Sequence, residues 1–190
     1  MQVKILKEIS IITAGYTFRK ALNHEKTGQS KVVLAKHIKE DGTVNYPEFI
    51  RITQSAFNTN AFVHKNDVLL SSRGVFRAGV IREEVKNTIA ASSIFIIRIT
   101  VDNVIPEYLA IYLNSEAGQS SIQKILTGST IQTILRRALE NLKIPIPALS
   151  TQKEIVEISE NWKKREKLLE QKVNLNKNIT EGTIKYLLTT

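Results

Sequence analysis

Short runs of β-branched and aromatic residues alternate with polar and glycine-containing breaks through the first 150 residues. Runs of this length and composition predict strands. Four of them are KVVLA (31–35), AFVHKNDVLLS (61–71), AGVIR (78–82) and SIFIIRI (93–99). Two later stretches space their apolar residues as helices do, and they are PEYLAIYLNSEAGQSSIQKILTG (106–128) and TIQTILRRALENL (130–142). The pattern therefore predicts a mixed α+β domain.

A different pattern begins after KIPIPALS (143–150). Pro145 and Pro147 favour an extended edge or a linker in this stretch. Thr151 then begins TQKE, a capping box with which a helix can start. From there to Leu188 the chain has no proline and a single glycine. The tail is therefore predicted to form a long C-terminal helix.

The apolar residues of this tail fall on one helical face. They are Ile155, Ile158, Trp162, Leu169, Val173, Ile184 and Leu187. A helix of about 38 residues would be about 57 Å long, whereas a domain of this size has a radius of gyration of about 15 Å. The face therefore needs a partner, and polar Asn176 and Arg165 near it favour a short antiparallel coiled coil over a long parallel one. Two shorter helices that fold back near 174–178 are the alternative.

The net charge of the chain points to an anionic partner. It is +9 over 190 residues. Residues 1–150 hold 19 Lys and Arg against 12 Asp and Glu, and residues 151–190 hold 8 against 6, so the two parts carry +7 and +2. A basic excess concentrated in the domain favours nucleic acid as a partner. The chain has no cysteine, so it forms no disulfide, and it has no apolar run of membrane-spanning length. We therefore expect a cytoplasmic protein that does not bind a membrane.

Basic side chains lie beside glycine, serine and aromatic residues in predicted loops, as in GYTFRK (15–20) and SSRGVFRAG (71–79). Such loops suit double-stranded DNA, because Lys and Ser hold phosphates and Arg can donate two hydrogen bonds to guanine. The candidate DNA-binding residues are Tyr16, Arg19, Lys20, Lys36, Ser72, Arg73 and Arg77. A solvated charged face, or nucleic-acid binding without sequence preference, is the alternative.

The sequence lacks motifs for catalysis and for cofactors. His24, His37 and His64 lie far apart and without the spacing of a zinc site. The chain has no nucleophile elbow, no phosphate-binding glycine loop and no methyltransferase tetrapeptide. We therefore expect no catalytic residue, no metal site and no cofactor.

One loose pattern favours an enzyme instead. Asp67, Glu84 and Lys86 match the D…E-x-K arrangement of many Mg²⁺-dependent nucleases. In that arrangement two carboxylates hold the cation, and the lysine stabilises the attacking or leaving group. Basic proteins also contain this pattern by chance, and an aspartate at a strand start followed by a charged turn is the simpler interpretation. A nuclease remains an alternative on sequence alone.

Four stretches together resemble one protein family in their order and spacing. They are ISIITAGYTF (9–18), NDVLLSSRGVFRAG (66–79), IPEYLAIYLNSEAGQ (105–119) and GSTIQTILRRALENLKIPIPALSTQKEI (128–155). The last ends in an Ile-Pro-x-Pro-x-Leu-x-x-Gln-x-x-Ile junction at 144–155. Over nearly its whole length the chain resembles the DNA-specificity (S) subunits of Type I restriction–modification systems. Asn66 stands where the family often has Gly, and Ala148 replaces a frequent proline.

The resemblance implies a twisted αβ target recognition domain at 1–148, which grips one half of a bipartite DNA site, and a spacer and dimerisation helix at 149–190. Family members carry two such units whose helices pair antiparallel. One unit therefore implies a half-length or truncated subunit, which would homodimerise through its helix and read a palindromic bipartite site. Separate methylation and restriction subunits would supply the chemistry, and this chain would dock with them without catalysing a reaction.

The resemblance also separates residues that grip DNA from residues that read it. Ser71, Arg73 and Gly74 belong to an element shared by members with different targets, so we expect them to hold the DNA backbone or the fold. Arg73 and Arg77 are expected to lie against DNA on a loop that is bent at its glycines. Base-reading residues are expected in the variable parts, within 17–60.

Overall fold

The computed structural model describes residues 2–53, 57 and 60–189. The chain divides into two compact units, Met1–Lys153 and Glu154–Thr190. The strands are β1 (Gln2–Ile5), β2 (Ser10–Ala14), β3 (Ser30–Val33), β4 (Ile50–Ile52), β5 (Val68–Ser71), β6 (Ala78–Val80), β7 (Thr88–Ala90), β8 (Ile94–Ile99), β9 (Leu126–Thr127), β10 (Thr133–Ile134) and β11 (Lys143–Ile146). The α-helices are α1 (Leu6–Ile9), α2 (Pro106–Asn114), α3 (Glu116–Gln123), α4 (Arg136–Glu140) and α5 (Leu149–Thr189). The predicted α+β fold is confirmed.

A four-stranded antiparallel sheet in the order β2-β8-β5-β6 forms the middle layer of the first unit. Its two central strands, β5 and β8, are apolar without alternation, which suits strands covered on both faces. Successive side chains of a strand point to opposite faces. Accordingly, Val68 and Leu70 of β5 lie in one hydrophobic cluster and Leu69 lies in another.

Different elements cover the two faces of this sheet. Helices α1 to α4 and strand β11 cover one face, where Leu109, Ile122 and Leu139 are fully buried. A three-stranded sheet in the order β4-β3-β7 covers the other face and contributes Val33 and Ile89. In this sheet β3 pairs antiparallel with β4 and parallel with β7. Two further antiparallel pairs, β1 with β11 and β9 with β10, complete the unit.

The predicted helix over 130–142 is largely wrong. Helix α4 covers only Arg136–Glu140, and Thr133–Ile134 form strand β10. This strand pairs with β9, and Thr133 also forms a β-bridge with Arg73. A local hairpin with β9, which turns at Gly128, and the bridge to Arg73 together decide the conformation here against the helical spacing of the apolar residues.

The predicted helix over 106–128 is two helices. Helix α2 ends at Asn114, and the Ser115 Oγ accepts a hydrogen bond from the Gly118 N–H and so caps α3. A Cβ at Gly118 would lie 1.9 Å from the Tyr112 carbonyl oxygen, so only glycine permits this tight junction. A serine cap and a glycine close together therefore separate the two helices.

The predicted strand over 61–71 is regular only at Val68–Ser71. A turn precedes it, in which Asn66 has a φ of 70° and the Asp67 carboxylate accepts a hydrogen bond from the His64 N–H at 2.7 Å. Asn is one of the few residues besides Gly that tolerate this left-handed conformation. Asn66 can therefore occupy a position where glycine is frequent.

Helix α5 is continuous through 174–178, so the described chain does not fold back there, and the predicted long helix is confirmed. It starts at Leu149 rather than at the predicted Thr151 cap. From Ile158 to Leu187 the predicted apolar residues are more than half exposed, and Ile155 is half-buried. Among the described helices, none combines the length and the apolar character needed to cross a membrane.

Gln152 fixes the first turn of α5 to the first unit. Its side chain is fully buried. The Oε1 atom accepts a hydrogen bond from the Ile105 N–H at 2.9 Å, and the Nε2 atom donates to the carbonyl oxygens of Asn103 and Pro147, both at 2.9 Å. Gln152 thus satisfies one amide and two carbonyl groups of the loop before α2 and of the β11–α5 connection. This contact explains why the compact unit extends to Lys153 although α5 begins at Leu149.

Replacing Gln152 with Ala is expected to lower the free energy of unfolding by about 2–4 kcal/mol, because it removes three hydrogen bonds to backbone groups and leaves a cavity at a fully buried position. Urea unfolding followed by circular dichroism measures the change. Gln171→Ala is the matched control, since Gln171 lies exposed on the same helix, and its effect should stay within about 0.5 kcal/mol. Equal effects of the two substitutions would show that the buried hydrogen bonds contribute nothing.

Candidate DNA-binding surface

Three chain segments leave the sheets beside residues 90–94, where β7 ends and β8 begins. The Gly15 N–H donates to the Ile94 carbonyl at 2.9 Å, just after β2. The Ala91 N–H donates to the Val33 carbonyl at 3.0 Å, at the end of β3. The Ser72 N–H donates to the Ser93 carbonyl at 2.8 Å, just after β5. The segments that follow β2, β3 and β5 therefore start close together. We call this edge the basic end of the domain.

Gly15 permits the close approach at the basic end. A Cβ atom there would lie 2.0 Å from the Ala91 carbonyl oxygen, which is far inside contact distance. The next residue, Tyr16, donates its N–H to the Ala90 carbonyl at 2.7 Å and forms a parallel bridge with Ala91. Any larger residue at 15 would push the segment after β2 away from residues 90–91.

All seven predicted DNA-binding residues lie in the three segments of the basic end. Tyr16, Arg19 and Lys20 follow β2, Lys36 follows β3, and Ser72, Arg73 and Arg77 follow β5. Strands β2 and β5 flank β8, so their ends lie about 10 Å apart. The structure therefore gathers residues that are separated along the sequence at one edge of the fold.

Four cations at the basic end are available to a ligand. Arg19, Lys20, Lys36 and Arg73 are exposed, and within the described part of the chain their charged groups have no hydrogen bond or ion pair. Arg77 is partly exposed and lies 3.8 Å from the exposed Glu40 carboxylate, a long and weak pairing. These charges would attract a polyanion, with little competition from neighbouring carboxylates.

Two of the predicted residues offer less to a ligand. Ser72 is only 3% exposed, so its side chain offers little contact to a ligand, and its backbone forms hydrogen bonds within the fold. Tyr16 is half-buried, and its ring packs edge-on against Phe18 and Phe57 at 4.9 and 5.4 Å. Tyr16 and Phe18 line a cavity of about 420 Å³ together with Arg19 and Lys20. The aromatic cluster therefore holds the backbone from which these two cations extend.

Internal hydrogen bonds and a bond to a neighbouring segment define the backbone of the loop at 72–77. The Ser71 Oγ donates to the Val75 carbonyl and accepts from the Arg77 N–H at 2.8 Å, so it closes the loop internally. Gly74 has a φ of 72°, which provides the turn. Its N–H donates to the Gln132 carbonyl at 3.1 Å. The glycine bend expected in this loop is present at Gly74.

Side-chain amides from the helices support the same loop. Asn114 at the end of α2 accepts from the Ala78 N–H and donates to the Ala78 carbonyl, both at 2.8 Å, as a neighbouring strand would. The Gln119 amide of α3 donates to the Phe76 carbonyl at 3.0 Å. Gly79 is required for a steric reason, since a Cβ there would lie 2.8 Å from the Gly42 carbonyl oxygen. It allows the loop at 39–44 to pack against β6.

A short ribbon extends the basic end. It consists of residues 72–75 and 126–134, and we call it the ribbon. The Arg73–Thr133 bridge and the hydrogen bond from the Ile134 N–H to the Ser72 carbonyl join its two parts. Strands β9 and β10 form a hairpin within the ribbon. Gly128 has a φ of 97° in the turn of this hairpin. The sequence signal for the hairpin was this glycine followed by β-branched residues, in a stretch where a helix was predicted.

The arrangement does not favour the nuclease alternative. Asp67 is 1% exposed, and Arg98 donates to both of its carboxylate oxygens, at 2.8 and 2.7 Å. These hydrogen bonds stabilise the guanidinium charge and raise the pKa of Arg98. Glu84 and Lys86 lie exposed in the loop after β6. Within the described residues, no group of three or more His, Asp or Glu side chains is placed to hold a metal ion.

His37 lies next to the exposed Lys36 in a 3₁₀-helix at Ala35–His37 and is fully buried. Its Nδ1 atom accepts a hydrogen bond from the Leu34 N–H at 3.1 Å, and its ring stacks on Phe49 at 5.5 Å. Burial, together with the charge of Lys36, lowers the pKa of His37 to about 4. The imidazole is therefore neutral near pH 7 and acts as part of the core.

The model of the Type I restriction modification DNA specificity domain matches residues 1–179. This chain belongs to that family. The search of curated proteins gave no match to the sequence of this chain. The family was expected from the sequence, and that expectation is confirmed.

Solved structures share the fold of this specificity domain. The S subunit of a Type I system from M. genitalium is 19% identical, with a TM-score of 0.59, over 86% of this chain and 39% of that one. A structure on complex assembly and conformational transition of the type I R-M system is 20% identical, with a TM-score of 0.63, over 86% and 38%. The HsdS subunit from Thermoanaerobacter tengcongensis is 18% identical, with a TM-score of 0.57, over 86% and 37%. The specificity domain thus spans less than two-fifths of the length of these structures.

His37 should make the stability of the domain pH-dependent. Above pH 6.5 the imidazole is neutral in both the folded and the unfolded chain. As the pH falls from 6.5 to about 4, the unfolded chain binds a proton before the folded chain does, so the free energy of unfolding falls. The two pKa values differ by an amount that corresponds to about 3 kcal/mol at most. Urea unfolding of wild type and His37→Gln at several pH values across this window measures the effect.

The His37→Gln variant should lose less stability than wild type over this window, although it starts from a lower value at neutral pH. At each pH, the difference between the two free energies of unfolding removes the contribution of the titrating groups that both proteins share. Parallel stability curves for the two proteins would show that His37 does not titrate as its burial implies.

Proposed function

We propose that this chain is the DNA-recognition unit of a Type I restriction–modification system. The domain at 1–148 grips one half of a bipartite target, and the helix at 149–190 sets the spacing to the other half. The observation that carries this proposal is the basic end. Four exposed cations without partners among the described residues lie there, in a chain that belongs to the DNA specificity family.

The basic end suits double-stranded DNA in its chemistry. Lys20 and Lys36 supply point charges that hold phosphates, and Arg19 and Arg73 can hold phosphates or guanine edges. Hydrogen bonds already hold the backbone of the loop, so binding through Arg73 has to order its side chain but little of the main chain. Base reading within 17–60 remains part of this proposal, and residues 54–56 and 58–59 of that range lie outside the described residues.

The proposed role includes partners but no catalysis by this chain. Separate methylation and restriction subunits would modify and cleave DNA, and this chain would direct them to the target. The family assignment supports these partners. So does the similarity to a structure on complex assembly of the type I R-M system. The chain needs no cofactor for this role.

We further propose that α5 pairs antiparallel with α5 of a second copy. The apolar residues from Ile158 to Leu187 are more than half exposed along one face of the second unit. An equivalent helix can cover this face, and polar Asn176 and charged Arg165 near it fit a short antiparallel pairing. A two-fold dimer places two recognition domains in inverted orientation, so the target would be a palindromic bipartite site.

Selection from a random pool of duplex DNA at low salt tests DNA recognition, with and without the methylation subunit of the same system. We expect enrichment of two inverted half-sites with a fixed gap. A single enriched half-site would support recognition by one unit and contradict the dimer. Binding without any enriched sequence would exclude base-specific recognition as an activity of this chain.

Two single substitutions provide a matched comparison on the enriched duplex. Arg73→Ala should weaken binding by about 1–3 kcal/mol and reduce the slope of log affinity against log salt by about 1. Lys65→Ala removes the same charge from the turn before β5, at the opposite end of that strand. It should leave the affinity within about twofold of wild type. Equal losses for both would indicate attraction by net charge alone.

Replacing both Trp162 and Leu169 with Asp should convert the proposed dimer to a monomer, because charges would enter the apolar interface. Sedimentation equilibrium should then give the chain mass of 21.4 kDa in place of twice that value. Replacing Gln171 and Asn178 with Asp adds the same charge on the opposite face of the helix, and this control should remain dimeric. An unchanged mass for the Trp162/Leu169 variant would exclude pairing through this face.

A further inference from the structure

Two large aliphatic side chains are exposed on the ribbon. Val75 is 64% exposed and Ile131 is 63% exposed. They adjoin the hydrogen bond between the Gly74 N–H and the Gln132 carbonyl, one from each part of the ribbon. Covalent geometry therefore keeps their Cα atoms within about 14 Å of each other. This distance corresponds to about four base pairs along DNA at about 3.4 Å each.

The backbone beneath these side chains is fixed. The Val75 carbonyl accepts a hydrogen bond from the Ser71 hydroxyl, and the positive φ of Gly74 sets the turn between Arg73 and Val75. On the other side, Gly128 lets the turn at 128–132 close, since a Cβ there would lie 2.5 Å from the Ile131 carbonyl oxygen. Neither side chain contributes to the described hydrophobic clusters. Their exposed side chains therefore add nothing to these clusters.

The charge around this pair indicates what covers it. Arg73, two residues before Val75, is exposed and unpaired among the described residues, and the other free cations of the basic end leave the same edge of the sheet. A partner that combines a dense negative charge with isolated apolar groups fits this surface. The major groove of DNA is such a partner, because the C5-methyl of thymine is an apolar group at the base edges. The groove also admits a two-stranded ribbon, which is the width of the β9–β10 hairpin.

We propose that the ribbon enters the major groove and that Val75 and Ile131 contact thymine C5-methyl groups there, while Arg73 holds the DNA beside them. This inference rests on the proposed function and deepens it. It assigns part of the sequence reading to positions outside 17–60, and it requires at least one thymine in each half-site. Arg73 keeps its shared gripping role, whereas the two aliphatic side chains discriminate between bases.

Replacement of thymine by uracil tests this directly, since uracil pairs identically and lacks only the methyl group. The probe is the duplex enriched by selection, resynthesised with deoxyuridine at each thymidine in turn. For wild type, uracil at a contacted position should weaken binding about fourfold per methyl group lost, the equivalent of burying one CH₂-sized group. For Val75→Ala and Ile131→Ala, thymine and uracil duplexes should bind equally at the corresponding positions.

Two matched controls separate this contact from general effects of losing an exposed aliphatic side chain. Val3 is 56% exposed on β1 and Ile11 is 59% exposed on β2, both outside the ribbon. Val3→Ala and Ile11→Ala should keep the full sensitivity to uracil. All four substitutions lie at exposed positions, so urea unfolding should show changes within about 0.5 kcal/mol for each.

The outcomes distinguish this inference from the proposed function. If the selected duplex binds specifically but uracil has no effect at any position, the methyl contact is excluded and DNA recognition stands. If uracil weakens wild type and both ribbon variants alike, other residues read the methyl groups and the assignment to Val75 and Ile131 is overturned. If Val75→Ala and Ile131→Ala impair only assembly with the methylation subunit, a protein partner covers the pair and the inference fails. If no sequence is enriched, recognition and this inference fail together.

Discussion

The backbone hydrogen bonds around residues 90–94 hold the candidate surface together. At this short connection, the segments after β2, β3 and β5 all meet one stretch of chain. A backbone-to-backbone junction of this kind tolerates no side chain at its closest point, which is why Gly15 approaches Ala91 so tightly. The basic end is consequently set by the main chain of the sheets, and its charged side chains need only be long enough to reach outward.

Much of the fold could be predicted from the sequence where local pattern and tertiary burial agree. The central strands were evident in the runs VLLS and IFIIRI, because burial on both faces demands apolar residues at successive positions. The long helix was evident from the absence of proline and the apolar stripe. Strand β10 was not, because the apolar spacing around it favoured a helix, whereas the structure pairs it with the nearby β9 and bridges Thr133 to Arg73.

The candidate site could be predicted in its charges but not in its supports. Basic residues beside Gly and Ser in loops were a readable signal, and the fold collects them at one edge. Burial of Ser72 could not be foreseen, because it depends on the segments that pair with its backbone. The amides of Asn114, Gln119 and Gln152 each satisfy backbone groups far along the chain. Composition alone cannot reveal such contacts, although a fully buried Gln must have partners for its amide.

The loop that carries Arg73 and Val75 owes its conformation to residues other than those it exposes. Ser71, Asn114 and Gln119 hold its main chain, whereas the side chains of Arg73 and Val75 make no hydrogen bond within the described residues. Conformation and chemical identity are thereby encoded at separate positions. Such a division lets exposed positions vary by mutation while the scaffold stays intact. A lineage could then acquire new targets through few substitutions, and an engineer could diversify 75 and 131 as a combinatorial library on a constant frame.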